Sequence, residues 1–257
     1  MKKVTINFGK EKKQATIAII GFGRFGKLLA QIFLENSNAR VFVVSKKKQP
    51  KTHPNLFFVK LNEIISADIV IPCVPISEFK KVILQIAPLL TNVAVVMDVC
   101  SIKVLPARIM KKHLPKNIQI IASHPMFGPD AFRLNQGLKN LKLVLHNVRA
   151  DQPVYSKIKS FFKQLELKVI ELSPQKHDQF LAWSLGYSYL IGKIGQQLKL
   201  KETPIDTLDF KLLLQNMKIV SSDSEQLFLD MQINNPFAKE VHHKFKKVSE
   251  EIFDKIK

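Results

Sequence analysis

The segment SHPMFGPD, residues 123–130, combines one histidine with two prolines and a glycine. The charge of imidazole changes near neutral pH, so His124 is a candidate proton acceptor. Proline restricts the backbone, and we interpret the segment as an exposed turn in which Pro125 and Pro129 hold the histidine in one place. A lone histidine is more often structural, but its position after a strand-like run favours a role in chemistry.

A second candidate site is the motif GFGRFG, with glycines at 21, 23 and 26. It follows the β-branched run ATIAII and precedes a segment with helical spacing, which is the context of a dinucleotide-binding loop. Gly21 permits a tight turn, Gly23 lets the backbone approach a pyrophosphate, and Gly26 allows the helix to pack closely on the strand. Arg24 and Phe25 are further candidates for cofactor contact. A strand–glycine–helix turn without a ligand is the alternative.

The residues after the next strand-like run, RVFVVS, indicate which dinucleotide is bound. Folds that bind NAD place a carboxylate about 20 residues past the glycines, where it bonds the ribose 2′-hydroxyl. This chain has Ser45, Lys46, Lys47 and Lys48 there instead. A hydroxyl and cations suit a 2′-phosphate, which a carboxylate would repel, so we predict NADP as the cofactor. A general surplus of lysine could explain the cations, but it does not explain the missing acid.

Two later strand ends contribute further candidates, because ligands of open parallel sheets lie at the carboxyl ends of the strands. The segment IPCVPIS, residues 71–77, is expected to place Cys73 and Pro75 beside the nicotinamide-side ribose. The segment MDVCSIK, residues 97–103, is expected to expose Ser101 and Lys103.

Strand-like and helical segments alternate through the first two thirds of the chain. Strands are predicted at 15–20, 40–45, 67–74, 92–99, 118–123, 141–146 and 168–172, and helices at 24–36, 77–87, 105–113 and 153–164. This alternation predicts an α/β fold, a Rossmann-like, doubly wound and mostly parallel sheet. From His177 onward the pattern is helical. We therefore predict a dinucleotide-binding domain at 1–172 and a smaller all-helical domain at 173–257.

The composition narrows the class of protein. The chain has 257 residues, of which 46% are hydrophobic, and no apolar run as long as a membrane span. Its first residues lack the apolar segment of a secretion signal, and two cysteines are too few for a disulfide framework, so we expect a cytoplasmic protein. We expect no metal site. The net charge of +19 comes from dispersed lysines without a nucleic-acid-binding motif, so we expect no nucleic-acid partner.

The long helical segment from residue 177 to 198 is apolar on more than one face. Such a helix must be buried on several sides, and a tail of this size offers little material for that. We therefore predict a homodimer formed through the helical domain. The apolar side chains concerned are Phe180, Leu181, Trp183, Leu185, Tyr187, Leu190 and Ile191.

Together, HPMFGP, DVCSIK and the N-terminal glycines resemble the prephenate/arogenate dehydrogenase family of tyrosine biosynthesis. HDQF, SSDSEQLF and NNPFAKEV resemble its plant-type arogenate dehydrogenase branch. The resemblance runs from about residue 15 to the C-terminus. The HPMFGP element is highly specific, whereas the glycine loop is not.

The resemblance implies a reaction in which NADP⁺ takes hydride from C4 of a cyclohexadienol while the ring carboxylate leaves as CO₂. His124 would accept the proton of the C4 hydroxyl, and Ser101 would hold the imidazole in position. Lys103 and Lys211 would attract the carboxylates of the substrate. A homodimer is also implied by the family.

The chain departs from the family pattern at three positions. Cys100 replaces the usual glycine of DVGSVK, and Tyr189 replaces a histidine that many members carry. Leu212, beside Lys211, stands where some prephenate-specific members have an arginine. These departures favour arogenate as the substrate, with Tyr189 still able to form a hydrogen bond with it. Prephenate dehydrogenase activity and a non-catalytic dinucleotide-binding paralogue are the alternatives. For His177 and Asp178, capping and packing are favoured over catalysis.

Overall fold

The computed structural model describes residues 14–46, 50–90 and 95–257. Within these residues, one sheet contains β1 (Thr16–Ile20), β2 (Arg40–Val44), β3 (Leu56–Phe58), β4 (Ile69–Pro72), β5 (Val95–Met97), β6 (Gln119–Pro125), β7 (Lys142–Arg149) and β8 (Lys168–Glu171). The helices between them are α1 (Arg24–Asn36), α2 (Ile76–Ile86), α3 (Val104–His113), α4 (Pro129–Leu134) and α5 (Gln152–Gln164). Two 3₁₀ segments lie at Leu61–Ser66 and Ala87–Leu89.

The strand order across the sheet is β3-β2-β1-β4-β5-β6-β7-β8. β6 and β7 are antiparallel, and the other neighbouring pairs run parallel. The predicted Rossmann-like, mostly parallel sheet is therefore confirmed. The order of the strands reverses between β1 and β4, and such a reversal is where open α/β sheets bind ligands.

The burial of β1 shows how the sheet is covered. Every residue of β1 is buried, as expected for a central strand with helices on both faces. α1 buries one apolar face, and its Phe33 stacks on Phe161 of α5 with ring centroids 5.6 Å apart. These helices thus cover the same face of the sheet and hold the strand ends in place.

Three of the differences between the predicted and the observed elements concern missed or extended segments. The predicted bounds of α1 agree with the structure, but β3 was missed because its three residues are too few to show a period. α4 was also missed, since Pro129 begins a short helix of six residues rather than a turn. β6 continues to Pro125, two residues beyond the predicted end.

Past β8, the chain is helical. The first compact unit ends at Pro174, and the second comprises Gln175–Lys257. The helices there are α6 (Pro174–Leu181), α7 (Tyr187–Gln197), α8 (Leu208–Ser222), α9 (Glu225–Asn234) and α10 (Ala238–Lys255), with a π-helical segment at Ala182–Gly186 between α6 and α7. A smaller all-helical region after the sheet is thus confirmed, while its roles in dimerisation and substrate binding stay predictions.

Close packing of α7 on α8 depends on two glycines. A Cβ on Gly192 would lie 2.8 Å from a methyl carbon of Val220, and one on Gly195 would lie 2.7 Å from the sulfur of Met217. Thr207 and Ser224 cap α8 and α9 by accepting backbone hydrogen bonds with their hydroxyls. Among the described helices, none is long and apolar enough to cross a membrane.

Candidate functional site

The glycine loop lies at the switch point between β1 and β4. Gly21 has a φ of +102°, and a Cβ there would lie 2.3 Å from the carbonyl oxygen of Cys73. A Cβ on Gly26 would lie 2.3 Å from the carbonyl oxygen of Gly21. The fold itself therefore requires both glycines, because an added methyl group would overlap neighbouring backbone.

Gly23 is different, because a Cβ there would meet no described protein atom within 4 Å, and its φ of −74° suits any residue. It is the N-cap of α1 without a side-chain cap, and the first turn of the helix holds no acidic residue. Uncapped amides beside open space form a site for a phosphate group. The loop therefore fits the pyrophosphate of a dinucleotide.

Among the side chains of the loop, Arg24 is exposed, whereas Phe25 is half-buried. Nη2 of Arg24 lies 2.6 Å from Oδ2 of Asp130 in the first turn of α4, and the two side chains are 51% and 39% exposed. The other oxygen of Asp130 lies 3.5 Å from Arg133. Phe25 packs against the hydrophobic core of the sheet unit. Arg24 is thus placed to meet a phosphate, whereas the contact of the half-buried Phe25 with the core favours packing over cofactor contact.

The end of β2 lies directly beside the glycine loop. The amide of Gly21 donates to the carbonyl oxygen of Val44 at 2.9 Å. Ser45 is half-buried and Lys46 is exposed, so a hydroxyl and a cation follow the strand where NAD-binding folds carry an acid. Lys47 and Lys48, which we also predicted as cofactor ligands or neighbours, lie outside the described residues.

The end of β4 borders the same crevice. The amide of Cys73 donates to the carbonyl oxygen of Ile20 at 2.7 Å, and Pro75 is exposed as the N-cap of α2. Burial raises the pKa of the Cys73 and Cys100 thiols, and the Asp98 carboxylate raises it further. Both free thiols therefore stay neutral at physiological pH, and no described group of three potential ligands is arranged to hold a metal ion.

His124 lies within β6, and only 5% of the residue is exposed. Its Cα pairs with that of Val144 in β7, and the ladder continues as the amide of Met126 donates to the Lys142 carbonyl oxygen at 2.9 Å. The interpretation of this segment as an exposed turn is therefore wrong. The antiparallel strand β7, rather than the prolines alone, holds the histidine.

Ser101 and Lys103 follow β5 but differ in burial. Ser101 is half-buried, whereas Lys103 is 1% exposed. The Lys103 ammonium donates to the carboxylate of Asp98 and to the carbonyl oxygen of Ser123. These contacts favour an internal role for Lys103 over the predicted substrate contact, because a Lys103 side chain that turned away to substrate would leave the buried Asp98 carboxylate unpaired.

Asp98 and Ser123 were not identified from the sequence. The Asp98 carboxylate accepts hydrogen bonds from the amides of Cys100 at 3.0 Å and Ser123 at 3.2 Å. Burial raises the pKa of Asp98, and the charge of Lys103 and these hydrogen bonds oppose the rise. A charged residue at the end of an apolar strand is the signal that could have found it, since buried charges need partners.

The two candidates from the helical unit also differ in exposure. Tyr189 is 6% exposed, and its hydroxyl donates to the carboxylate of Asp223 in the SSDS segment. Burial and the bond to Asp223 raise the pKa of this hydroxyl. Lys211 and Leu212 are exposed in the first turns of α8. A bond from Tyr189 to substrate would thus have to compete with Asp223, while Lys211 is accessible to solvent.

His177 and Asp178 form a buried pair, with Nδ1 of His177 2.7 Å from Oδ1 of Asp178. The side-chain amide of Asn235, in the NNP turn, donates to the Asp178 carbonyl oxygen at 2.8 Å. The helix begins at Pro174, three residues before the predicted start. The pair therefore lies within the helix rather than at its first residues. The burial agrees with the packing role predicted for both residues.

The candidate residues lie at the carboxyl ends of five successive parallel strands. In sheet order these are Ser45 after β2, Gly21 after β1, Cys73 after β4, Ser101 after β5 and His124 near the end of β6. At about 4.8 Å per strand, this edge extends over roughly 19 Å from β2 to β6. A glycine loop at the switch point, with a buried histidine at the far end of the same edge, defines a Rossmann-type nucleotide-binding protein.

Matches to models of protein families indicate which kind of nucleotide-binding protein this is. Residues 47–171 match the family model "Prephenate dehydrogenase, nucleotide-binding domain". Residues 194–257 match "TYRAAT1-like, C-terminal domain", and residues 3–89 match "D-isomer specific 2-hydroxyacid dehydrogenase, NAD binding domain".

Similar proteins lead to the same family. The chain is 28% identical to arogenate dehydrogenase 1, chloroplastic, of Arabidopsis thaliana over 98% of this chain and 41% of that protein. It is 29% identical to a probable arogenate/prephenate dehydrogenase of Methanocaldococcus jannaschii over 94% of this chain and 57% of that protein. The chain thus spans about half the length of these relatives.

Solved structures share the fold. Synechocystis arogenate dehydrogenase superposes with a TM-score of 0.69 at 19% identity, covering 94% of this chain and 91% of that one. Prephenate dehydrogenase from A. aeolicus, in complex with hydroxyphenyl propionate and NAD⁺, also has a TM-score of 0.69, at 14% identity and with 95% and 91% covered. The predicted resemblance to the prephenate/arogenate dehydrogenase family, including that to its plant-type branch, is thus confirmed.

Proposed function

We propose that the protein catalyses the oxidative decarboxylation of arogenate to tyrosine, with NADP as the hydride acceptor. The observation that carries the proposal is the position of His124. It is held in β6 at the edge of the sheet where the glycine loop lies, and it belongs to the HPMFGP element. A base there can reach a substrate that meets the nicotinamide.

The uncapped amides at Gly23 and the side chains of Arg24, Ser45 and Lys46 are the groups that would hold the dinucleotide. When bound, the dinucleotide accepts the hydride that leaves C4 of the substrate. The preference for NADP over NAD is supported by the half-buried hydroxyl and the exposed cation after β2, where no acid is present at 45–46.

His124 acts on the hydroxyl at C4 of the cyclohexadienol. It accepts the hydroxyl proton while the hydride departs and a carbonyl develops at C4. The bond from C1 to the carboxylate then breaks, its electron pair enters the ring, and CO₂ leaves. The proton returns to the oxygen as the ring becomes aromatic, so His124 ends neutral. Ser101, which follows the neighbouring strand, is proposed to orient the imidazole.

Arogenate is favoured over prephenate by two positions in the helical unit. Leu212 supplies no charge where some prephenate-specific members carry an arginine. Its neighbour Lys211 is exposed and can attract a carboxylate more loosely. The hydroxyl of Tyr189 donates to Asp223. The histidine that many family members carry at this position could instead bind an anionic group of the substrate. The alternatives are formation of 4-hydroxyphenylpyruvate from prephenate, and a non-catalytic dinucleotide-binding paralogue.

The test follows NADPH formation by the purified protein with arogenate and with prephenate side by side. We expect a higher kcat/KM with arogenate. A higher kcat/KM with prephenate would overturn the substrate assignment and keep the reaction class. If neither substrate reduces NADP between about pH 6 and 9, a range around the ordinary pKa of histidine, while NADP still binds, the non-catalytic paralogue is the better account.

We also propose that the protein is a homodimer formed through its helical unit. Phe180 is 51% exposed and Trp183 is 44% exposed, and large apolar side chains on one surface favour burial against another chain. Light scattering at micromolar concentration should give a mass near two chains, and a mass of one chain would contradict the proposal.

The two free thiols suit the reducing cytoplasm that we propose as the location of the protein.

A further inference from the structure

Two buried charges lie directly behind the residues that carry the proposed chemistry. Asp98 is 0% exposed and Lys103 is 1% exposed, and the Lys103 ammonium donates to the Asp98 carboxylate. Both follow β5, and their contacts reach across to β6, the strand that contains His124.

Ser123, the residue before His124, is held by this pair at each of its polar groups. Its amide donates to Oδ1 of Asp98 at 3.2 Å, and its hydroxyl donates to the Asp98 carbonyl oxygen. Its own carbonyl oxygen accepts from the Lys103 ammonium. The peptide bond that leads into His124 is thus fixed by Lys103.

The same carboxylate also fixes the segment that leads to Ser101. Oδ2 of Asp98 accepts from the amide of Cys100 at 3.0 Å. One carboxylate is therefore bonded to the residue before Ser101 and to the residue before His124. The Asp98 carboxylate thus links the segments that carry the two side chains, in addition to the backbone pairing of β5 with β6.

Stability alone does not account for a pair of this kind. Removing two charges from water is costly, and well-packed apolar residues often stabilise a core as well as a buried ion pair does. The charged pair differs from an apolar one in making directed hydrogen bonds to particular backbone groups. Such bonds fix an orientation, which apolar contacts do less well.

We propose that Asp98 and Lys103 are positioning residues that set the geometry of His124 relative to Ser101. This inference rests on the proposed function, in which His124 is the proton acceptor. It assigns Lys103 an internal role in place of the substrate-binding role that the sequence predicted.

The test compares the wild type with the double variant Asp98→Asn/Lys103→Met, which removes both charges together and leaves no unpaired one. The thermal midpoint, the Kd for NADP, KM and kcat are measured for both. We expect the folded double variant to bind NADP within about threefold of wild type, because the glycine loop is separate. We expect kcat to fall about 100-fold, the usual cost of a displacement of about 1 Å, with KM nearly unchanged.

Asp68→Asn is the matched control. Oδ2 of Asp68 accepts from the amide of Thr16 at 2.7 Å, so this carboxylate also joins two strands, but at the amino edge of β4. We expect Asp68→Asn to lower the thermal midpoint and to leave kcat unchanged. An equal loss of kcat in the control would show that the double variant acts through stability, and would overturn the proposal.

A second readout does not depend on turnover. The C2 proton of His124 is assigned in the NMR spectrum by its loss in His124→Asn, and we expect its chemical shift to move in the double variant. A wild-type kcat with an unmoved signal overturns the positioning role, and a raised KM at wild-type kcat would make Lys103 a substrate ligand. An inactive wild type defeats the proposed function instead, and the signal of His124 still decides whether the pair positions it.

Discussion

The Cβ atom that Gly26 lacks would lie 2.3 Å from the carbonyl oxygen of Gly21. These two residues of the glycine loop are thus in van der Waals contact through backbone alone, and α1 can approach β1 only because Gly26 has no side chain. Gly23, between them, has open space instead. The loop therefore separates what the fold needs from what a ligand needs.

The first prediction uses this separation. Gly26→Ala should lower the free energy of unfolding by about 1–3 kcal/mol, because the methyl group overlaps backbone. Gly23→Ala should leave the free energy of unfolding within about 0.5 kcal/mol of wild type. It should weaken dinucleotide binding roughly tenfold, about 1.4 kcal/mol, since the methyl group occupies the phosphate site. Thermal unfolding and fluorescence titration measure the two effects. Unchanged NADP affinity in Gly23→Ala would place the phosphates elsewhere.

A second prediction concerns the choice of cofactor. Ser45→Asp should raise the Kd for NADP and lower that for NAD, because a carboxylate repels a 2′-phosphate and bonds a 2′-hydroxyl. Charges about 4 Å apart interact by roughly 1–4 kcal/mol, so the ratio of the two Kd values should change about tenfold or more. Ser45→Ala is the control and should weaken NADP binding without favouring NAD. Tighter binding of NAD by the wild type would show that this strand end was misinterpreted.

The third prediction concerns the base. His124→Asn should lower kcat by about 10²- to 10⁴-fold and leave the Kd for NADP unchanged, because the side chain still forms hydrogen bonds but no longer accepts a proton. Ser101→Ala should cause a smaller loss, since it affects orientation only. The wild-type kcat should fall at acidic pH, because a protonated imidazole can no longer accept the hydroxyl proton. Retained turnover in His124→Asn would require a different base.

A fourth prediction concerns stability and pH. The bond from Lys159 and that from the Tyr155 hydroxyl lower the pKa of Glu171. A lowered folded-state pKa adds stability above the unfolded value, near 4.3, and this stability is lost as the pH falls through the folded value. Glu171→Gln should thus lower the free energy of unfolding by up to about 1 kcal/mol at pH 7, the value of an ion pair screened by solvent. It should leave that free energy unchanged at a pH where Glu171 is protonated.

Denaturant unfolding at pH 7 and at pH 3 measures the difference between Glu171→Gln and wild type. Glu166→Gln is the matched control, because Glu166 pairs with Lys139 at 3.3 Å where both side chains are more than half exposed. The control should change stability little at either pH. A loss in Glu171→Gln that is equal at both pH values would mean that packing, rather than charge, is responsible.

Much of the sheet unit could be predicted from the sequence because its signals are local. The run ATIAII and the glycines after it specify β1, the loop and the start of α1, and the apolar spacing places both ends of α1 correctly. The HPMFGP element and the helical pattern after residue 177 were sufficient to indicate the family and the helical region. In each case, neighbouring residues carry the information.

The tertiary structure decided what depends on residues far apart in the chain. Lysine is usually a surface residue. Only the burial of its partner Asp98, and the bond of Asp98 to Ser123 on another strand, show that Lys103 is internal. β7 pairs antiparallel with β6 and so makes His124 part of a strand, which the prolines beside it concealed. A sequence pattern indicates how hydrophobic each segment is and with which period its apolar residues recur. Burial and hydrogen-bond partners are set by which segments meet, and that is a property of the folded chain.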